Sequence, residues 1–276
     1  MISRVRSFTD GRCRSVTAPS SRTLADRDGS PLLPPYHDIV NPQRNNAVRI
    51  LWAAFGVLAI VHLAAQLADA DQLANVSQWF LMPMLASVLW SATGAGRSRL
   101  VVLTLVALGF SWLGDSAPDL AEGDISFLLM MGFFLLAQFT YIAAFLPYRS
   151  ASVLIERRGW AAAYVGAVVA LVAACAPGAG DLLVPALVYG ITLGVMAALA
   201  TGLNRWAAIG GAMFLVSDGL IALGAFADWF TPPLEGFWIM ATYIVAQVLI
   251  VLGVLAAERG ACCGHRSVGE SATASA

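Results

Sequence analysis

Residues Trp206-Ala-Ala-Ile-Gly-Gly-Ala-Met-Phe-Leu-Val-Ser-Asp218-Gly-Leu-Ile-Ala-Leu-Gly-Ala-Phe226-Ala227 form an apolar run broken by one carboxyl near its middle. About 20 such residues, wound as a helix at 1.5 Å per residue, cross the ~30 Å of hydrocarbon in a bilayer. An ionisable side chain inside such a run is expensive and marks a functional site by default. Runs of the same kind recur at 49–68, 79–93, 99–117, 125–146, 160–176, 182–200 and 236–256, and with 206–227 they give eight helices. The second and fifth are short enough to tilt or to thin the membrane locally. Composition agrees, with 59% hydrophobic and 12% charged residues against roughly 25% charged in soluble chains. The predicted class is an all-α, polytopic membrane bundle of eight transmembrane helices.

Charge placement supplies the topology. Every cation is an arginine, and the arginines fall in the N-terminal arm, at Arg97 and Arg99, at Arg149, Arg157 and Arg158, at Arg205, and at Arg259 and Arg266. The alternate connections carry only acids: Asp69 and Asp71, then Asp119, Glu122 and Asp124, then Asp181, then Asp228 and Glu235. This is the positive-inside pattern of an even number of spans with both termini cytoplasmic. Trp52, Trp79, Trp90, Trp112, Trp160, Trp206, Trp229 and Trp238 all lie near predicted helix ends, where indoles favour the headgroup layer. The predicted organisation is a flexible basic cytoplasmic arm over 1–48, a membrane domain over 49–257 and a disordered cytoplasmic tail over 258–276. Integral, multi-pass residence in the cell (plasma) membrane follows. Cys13, Cys175, Cys262 and Cys263 make no disulfide framework; Cys262 and Cys263, just past the last span, are either acylated or neutral.

A second buried acid repeats the pattern of the first. Phe110-Ser-Trp-Leu-Gly-Asp115 leads to Thr140-Tyr141-Ile142, as Phe214-Leu-Val-Ser-Asp218 leads to Thr242-Tyr243-Ile244. The spacing predicts a parallel internal repeat of the third and fourth helices in the seventh and eighth, with one site built between the halves. Gln138 and Tyr141 share a helix face, as do Tyr243 and Gln247. Candidate site residues are therefore Asp115 and Asp218 for catalysis and Gln138, Tyr141, Ser217, Tyr243 and Gln247 for binding, with Ser111 nearby. His62 reads as a packed core residue. No zinc-spaced ligand set, serine nucleophile elbow or phosphate loop occurs, so no metal and no cofactor is implied. What remains is carboxylate acid–base chemistry: a carboxyl kept from water holds its proton more readily and can serve as a general acid.

At these residues the chain resembles the YhhN family of membrane proteins, which includes the animal lysoplasmalogenases. The resemblance covers nearly all of 50–256. It rests on Phe110 to Asp115, on Gly211-Ala-Met-Phe-Leu-Val-Ser-Asp218, and on Tyr243-Ile-Val-Ala-Gln247 with Leu249 and Ile250. It implies an eight-helix membrane hydrolase that cleaves the vinyl ether bond of a lysophospholipid, giving a fatty aldehyde and a glycerophospho-headgroup, with Asp115 and Asp218 as acid and base. The partner implied is a membrane lipid or lysolipid, not a nucleic acid. The chain departs from the family at Gln138, where a histidine is usual, and at Gln78 to Pro83, where Lys-Pro is frequent. Two other classes fit the residues: a proton-coupled transporter of lipids or small molecules, and a membrane protein without turnover.

Overall fold

The computed structural model describes residues 42–94, 96–156 and 158–273. The described residues are helical throughout, without a strand: α1 (Pro42–Leu67), α2 (Asp71–Ala92), α3 (Arg99–Ser116), α4 (Gly123–Phe145), the single turn α5 (Val153–Glu156), α6 (Arg158–Ala179), α7 (Leu183–Ala200), α8 (Arg205–Phe226) and α9 (Glu235–Thr273). Most boundaries fall within a few residues of those read from hydropathy. The two helices expected to be short are not: α2 and α6 have 22 residues each. Hydropathy missed the first turns of α2, Asp71 to Gln78, because Asp71, Gln72, Asn75, Ser77 and Gln78 dilute the apolar signal there. The helix α9 likewise continues past Glu258, where a tail is expected. Of the predicted arm, residues 1–41 lie outside the described residues.

Seven helical stretches among the described residues are long and apolar enough to cross a membrane. One of them, Gly159–Ala200, holds 42 residues, about twice a single crossing. It comprises α6 and α7, joined by the 3-10 turn Gly180–Leu182, and the two helices pack on each other. Gly180 takes φ +47°, a left-handed conformation that glycine adopts at no steric cost.

The exterior is hydrocarbon. Ile60 (69% exposed), Val184 (67%) and Val165 (61%) face outward, while Ser77, Thr104, Ser111, Asp115, Gln138, Asp218 and Gln247 are buried. A soluble monomer rarely exposes so continuous an apolar surface. Inside, α3 packs along α4 and α8 along α9, α7 bridges α4 to α8, and α9 also reaches α2 and α3. The peripheral α1 buries Phe55, Ala59, His62 and Ala65.

Local chemistry explains the joints. Pro83 lies inside α2 and has no N–H to offer the carbonyl of Trp79 four residues earlier. The Trp112 indole of α3 donates to that carbonyl at 2.9 Å instead, so a neighbouring helix satisfies the freed group, as an apolar surrounding requires. Asn204 caps α8 by accepting from Trp206 N and Ala207 N, and its amide donates to Gly253 O of α9 at 2.7 Å. Close helix approach needs small residues: a Cβ on Gly210 would stand 2.9 Å from Ala246 O, one on Gly211 3.0 Å from Ala197 Cα, and one on Gly114 2.8 Å from the Phe134 ring. Gly132 of α4, by contrast, faces open space.

Candidate functional site

The buried acids are held by helices that meet at the centre of the bundle. Asp218 sits 5% exposed in the middle of α8. Its Oδ2 accepts from the Tyr189 hydroxyl of α7 and from Gln138 Nε2 of α4, the latter at 3.3 Å. Both bonds land on the same oxygen. Gln138 Oε1 is buried and has no partner.

Asp115, 7% exposed, occupies the last turn of α3, where the negative end of the helix dipole disfavours a carboxylate. Tyr243 of α9 compensates by donating to its Oδ2 at 2.9 Å, and Gln78 of α2 adds a second hydrogen bond. A further polar chain ties α4, α9 and α3 together. The Tyr141 hydroxyl donates to Gln247 Oε1 at 2.7 Å, and Gln247 Nε2 donates to Ser111 Oγ at 3.1 Å. The carboxyls are near enough for the charge of Asp218 to act on Asp115.

Aromatic packing sets the phenol directions. Phe214 stands edge-on to Tyr243 (5.8 Å between centroids) and to Tyr141 (6.4 Å), and Phe134 edge-on to Tyr243 (5.6 Å). Such pairs favour this geometry and are worth about 0.5–1.5 kcal/mol each. Phe134 also covers Gly114, the residue before Asp115.

A pocket enters between α4, α6, α7 and α8. Asp218 and Tyr189 stand among its lining residues; Phe127, Leu171, Ala222 and Phe226 are part of its apolar wall. Asp115 does not line it. Among the described residues no group of three or more His, Cys, Asp or Glu side chains is arranged to hold a metal ion.

Of the residues singled out from sequence, Asp115, Asp218, Gln138, Tyr141, Tyr243, Gln247 and Ser111 all enter this core. Ser217 does not: its hydroxyl donates to Ile239 O of α9 at 3.0 Å and serves the α8–α9 joint. Tyr189 and Gln78 were not among the candidates. Their signal was weak, since a tyrosine in an apolar run reads as ordinary packing and Gln78 stands near a helix start. His62 is buried as expected, with Nδ1 2.9 Å from Ser77 Oγ and 3.1 Å from Ala74 O, while Nε2 is unpartnered.

The model of the YhhN family matches residues 73–254, well over half of the chain. The chain belongs to the YhhN family. The family match takes in the whole polar core, from Gln78 on α2 to Gln247 on α9, and leaves out all of α1, His62 included. No curated protein and no solved structure matches this YhhN-family chain.

Proposed function

We propose that this protein is a membrane-embedded hydrolase that cleaves the vinyl ether bond of a lysophospholipid, as the lysoplasmalogenases of its family do. The observation that carries the reading is the pair of buried carboxyls, each held by a tyrosine from another helix and near enough for one charge to act on the other, with Asp218 at an apolar pocket. In this reading the chain spans the membrane eight times. The run Gly159–Ala200 crosses out and back through its turn at Gly180, and both termini lie on the arginine-rich, cytoplasmic side of the cell membrane. The α3–α4 and α8–α9 pairs descend from one duplicated unit.

The chemistry asks for one protonated and one ionised carboxyl. The protonated one delivers H⁺ to the outer carbon of the C=C–O unit, leaving an oxocarbenium ion. Water adds to the carbon next to oxygen and gives its proton to the carboxylate. The hemiacetal then collapses to a fatty aldehyde: the second carboxyl passes its proton to the departing glycerol oxygen while the hemiacetal hydroxyl gives its own to the first carboxylate, so that one water is consumed and both acids are restored. Asp218, which lines the pocket, is the candidate for meeting the chain first. Asp115 faces the same core and is the candidate for the second role. Gln138, Tyr141, Tyr243 and Gln247 would orient the substrate and the two acids.

The test is aldehyde release from a lyso-ethanolamine plasmalogen by the purified protein, beside Asp115→Asn and Asp218→Asn variants of matched thermal stability. Release by the parent and its loss in both variants is the expected result. A well-folded parent that releases nothing rejects the hydrolase, and proton or lipid flux in vesicles becomes the measurement for the carrier reading.

A further inference from the structure

The pocket beside Asp218 is a poor place for a charged headgroup and a good one for a neutral lipid. Along α8 it runs from Asp218 to Phe226, about 12 Å at 1.5 Å per residue. Its wall is hydrocarbon, and Asp218 and Tyr189 provide the polar groups at one end. No cationic residue lines it, and the sequence has no lysine. A phosphate drawn inside would shed water and meet no counter-charge, which an apolar site makes strongly unfavourable.

The polar end is also short of donors. Tyr189 Oη gives its one hydrogen to Asp218 Oδ2, and the Gln138 amide gives one of its two there and also bonds Tyr189. The other oxygen of that carboxyl, on a residue that lines the pocket, is the acceptor site left over; Gln138, whose Oε1 is also unpartnered, is not a lining residue. A ligand that completes this cluster must bring a proton of its own. An ammonium would bring one, but it would lose its hydration against the same hydrocarbon wall.

We infer that this pocket binds an uncharged, single-chain lipid ending in a hydroxyl, a long-chain alcohol in chemical class, with the chain along α6, α7 and α8 and the hydroxyl donating to the free oxygen of Asp218. This goes beyond vinyl ether hydrolysis and stands without it. Such a ligand sits against Asp218 and competes with any substrate that needs that carboxyl.

The experiment uses the full chain in phospholipid vesicles, because an alkyl detergent would itself compete. A hexadecanol carrying a photoactivatable diazirine near its hydroxyl is crosslinked and the adducts are mapped. Adducts are expected within about a turn of Tyr189 and Asp218, displaced by hexadecanol at least about tenfold better than by hexadecyl methyl ether, which keeps the oxygen and lacks the proton. Hexadecyl phosphate and hexadecylamine should compete no better than the ether. Filling the pocket with Ala222→Trp should cut labelling about tenfold, and Asp218→Leu should erase the preference for alcohol over ether. Equal competition by ether, phosphate or amine, or adducts outside the pocket, overturns the inference on the unmutated protein. Aldehyde release measured on the same vesicles separates the two ideas: selective alcohol binding without release sinks only the hydrolase, and release without selective alcohol binding sinks only this inference.

Discussion

At the residue scale, Asp218 differs from Asp115 in what surrounds it. Tyr189 and Gln138 reach one oxygen of Asp218 from two helices, which fixes the carboxyl plane and leaves its other edge to the pocket. Asparagine has the same shape but cannot transfer a proton. Asp218→Asn should therefore lower aldehyde release by roughly 10²-fold or more while the melting temperature moves by only a few degrees; release within a few-fold of the parent would remove Asp218 from the proton-transfer step. Tyr189→Phe keeps the carboxyl and deletes one donor to it. A buried carboxyl that loses a partner costs about 1–3 kcal/mol, so this variant should melt earlier than the parent, and a melting temperature equal to the parent's would show that the contact carries no stability. Much of this core was legible in sequence, because a carboxyl or amide in an apolar helix is costly enough to need a reason. Tyr189 was not legible: a phenol is tolerated on many helix faces, and only the approach of α7 to α8 shows where its hydroxyl goes. Ser217, read from the sequence as a binding residue, donates its hydroxyl to the Ile239 carbonyl. Its small hydroxyl can satisfy itself on the backbone of the next helix and needs no site.

At the scale of elements, helix pairs are joined where one helix supplies what another lacks. The Pro83 defect in α2 and the Trp112 indole of α3 form such a pair. Trp112→Phe should leave the Trp79 carbonyl unpaired and cost about 1–3 kcal/mol. Pro83→Ala restores the internal N–H of α2, so the double variant Pro83→Ala with Trp112→Phe should recover most of that loss in a thermal melt. Additive losses would mean that the indole serves packing alone. A similar complementarity joins α3 to α4. Gly114→Ala brings a Cβ against the Phe134 ring, and overpacking of this kind costs about 1–3 kcal/mol. In a Phe134→Leu background the same substitution should be close to neutral, as a double-mutant cycle in melting temperature would show. Hydropathy located these helices well because it averages over many residues. It could not locate the joints, since each depends on one atom of one helix facing one atom of another. The early start of α2 was hidden for a related reason, the polarity of its first turns.

For the whole molecule, the number of crossings and the placement of charge are one question. The run Gly159–Ala200 is the only stretch among the described residues whose length leaves the count open. If it crossed once, α8 and α9 would be inverted, and Arg205 and Arg259 would face the side opposite Arg97 and Arg99. If α6 and α7 each cross, every arginine in the connections falls on one side, which the membrane favours by setting orientation through positive charge. The ties between elements point the same way. Ser98, at the start of α3, donates to Glu258 of α9 at 2.6 Å, and Asn204, at the start of α8, donates to Gly253 of α9. The arginine-bearing starts of α3 and α8 therefore meet the same end of α9. A single inversion would have to break one of these contacts. Single cysteines placed at Gly96 and at Asn204, in a chain whose four native cysteines are replaced by serine, should both resist an impermeant maleimide added outside intact cells and both react once the cells are opened. A cysteine at Glu122 should behave in the reverse way. Labelling of the Asn204 position from outside, with Gly96 protected, would establish a single crossing of 159–200 and remove the eight-span arrangement, together with the common orientation that a parallel repeat requires.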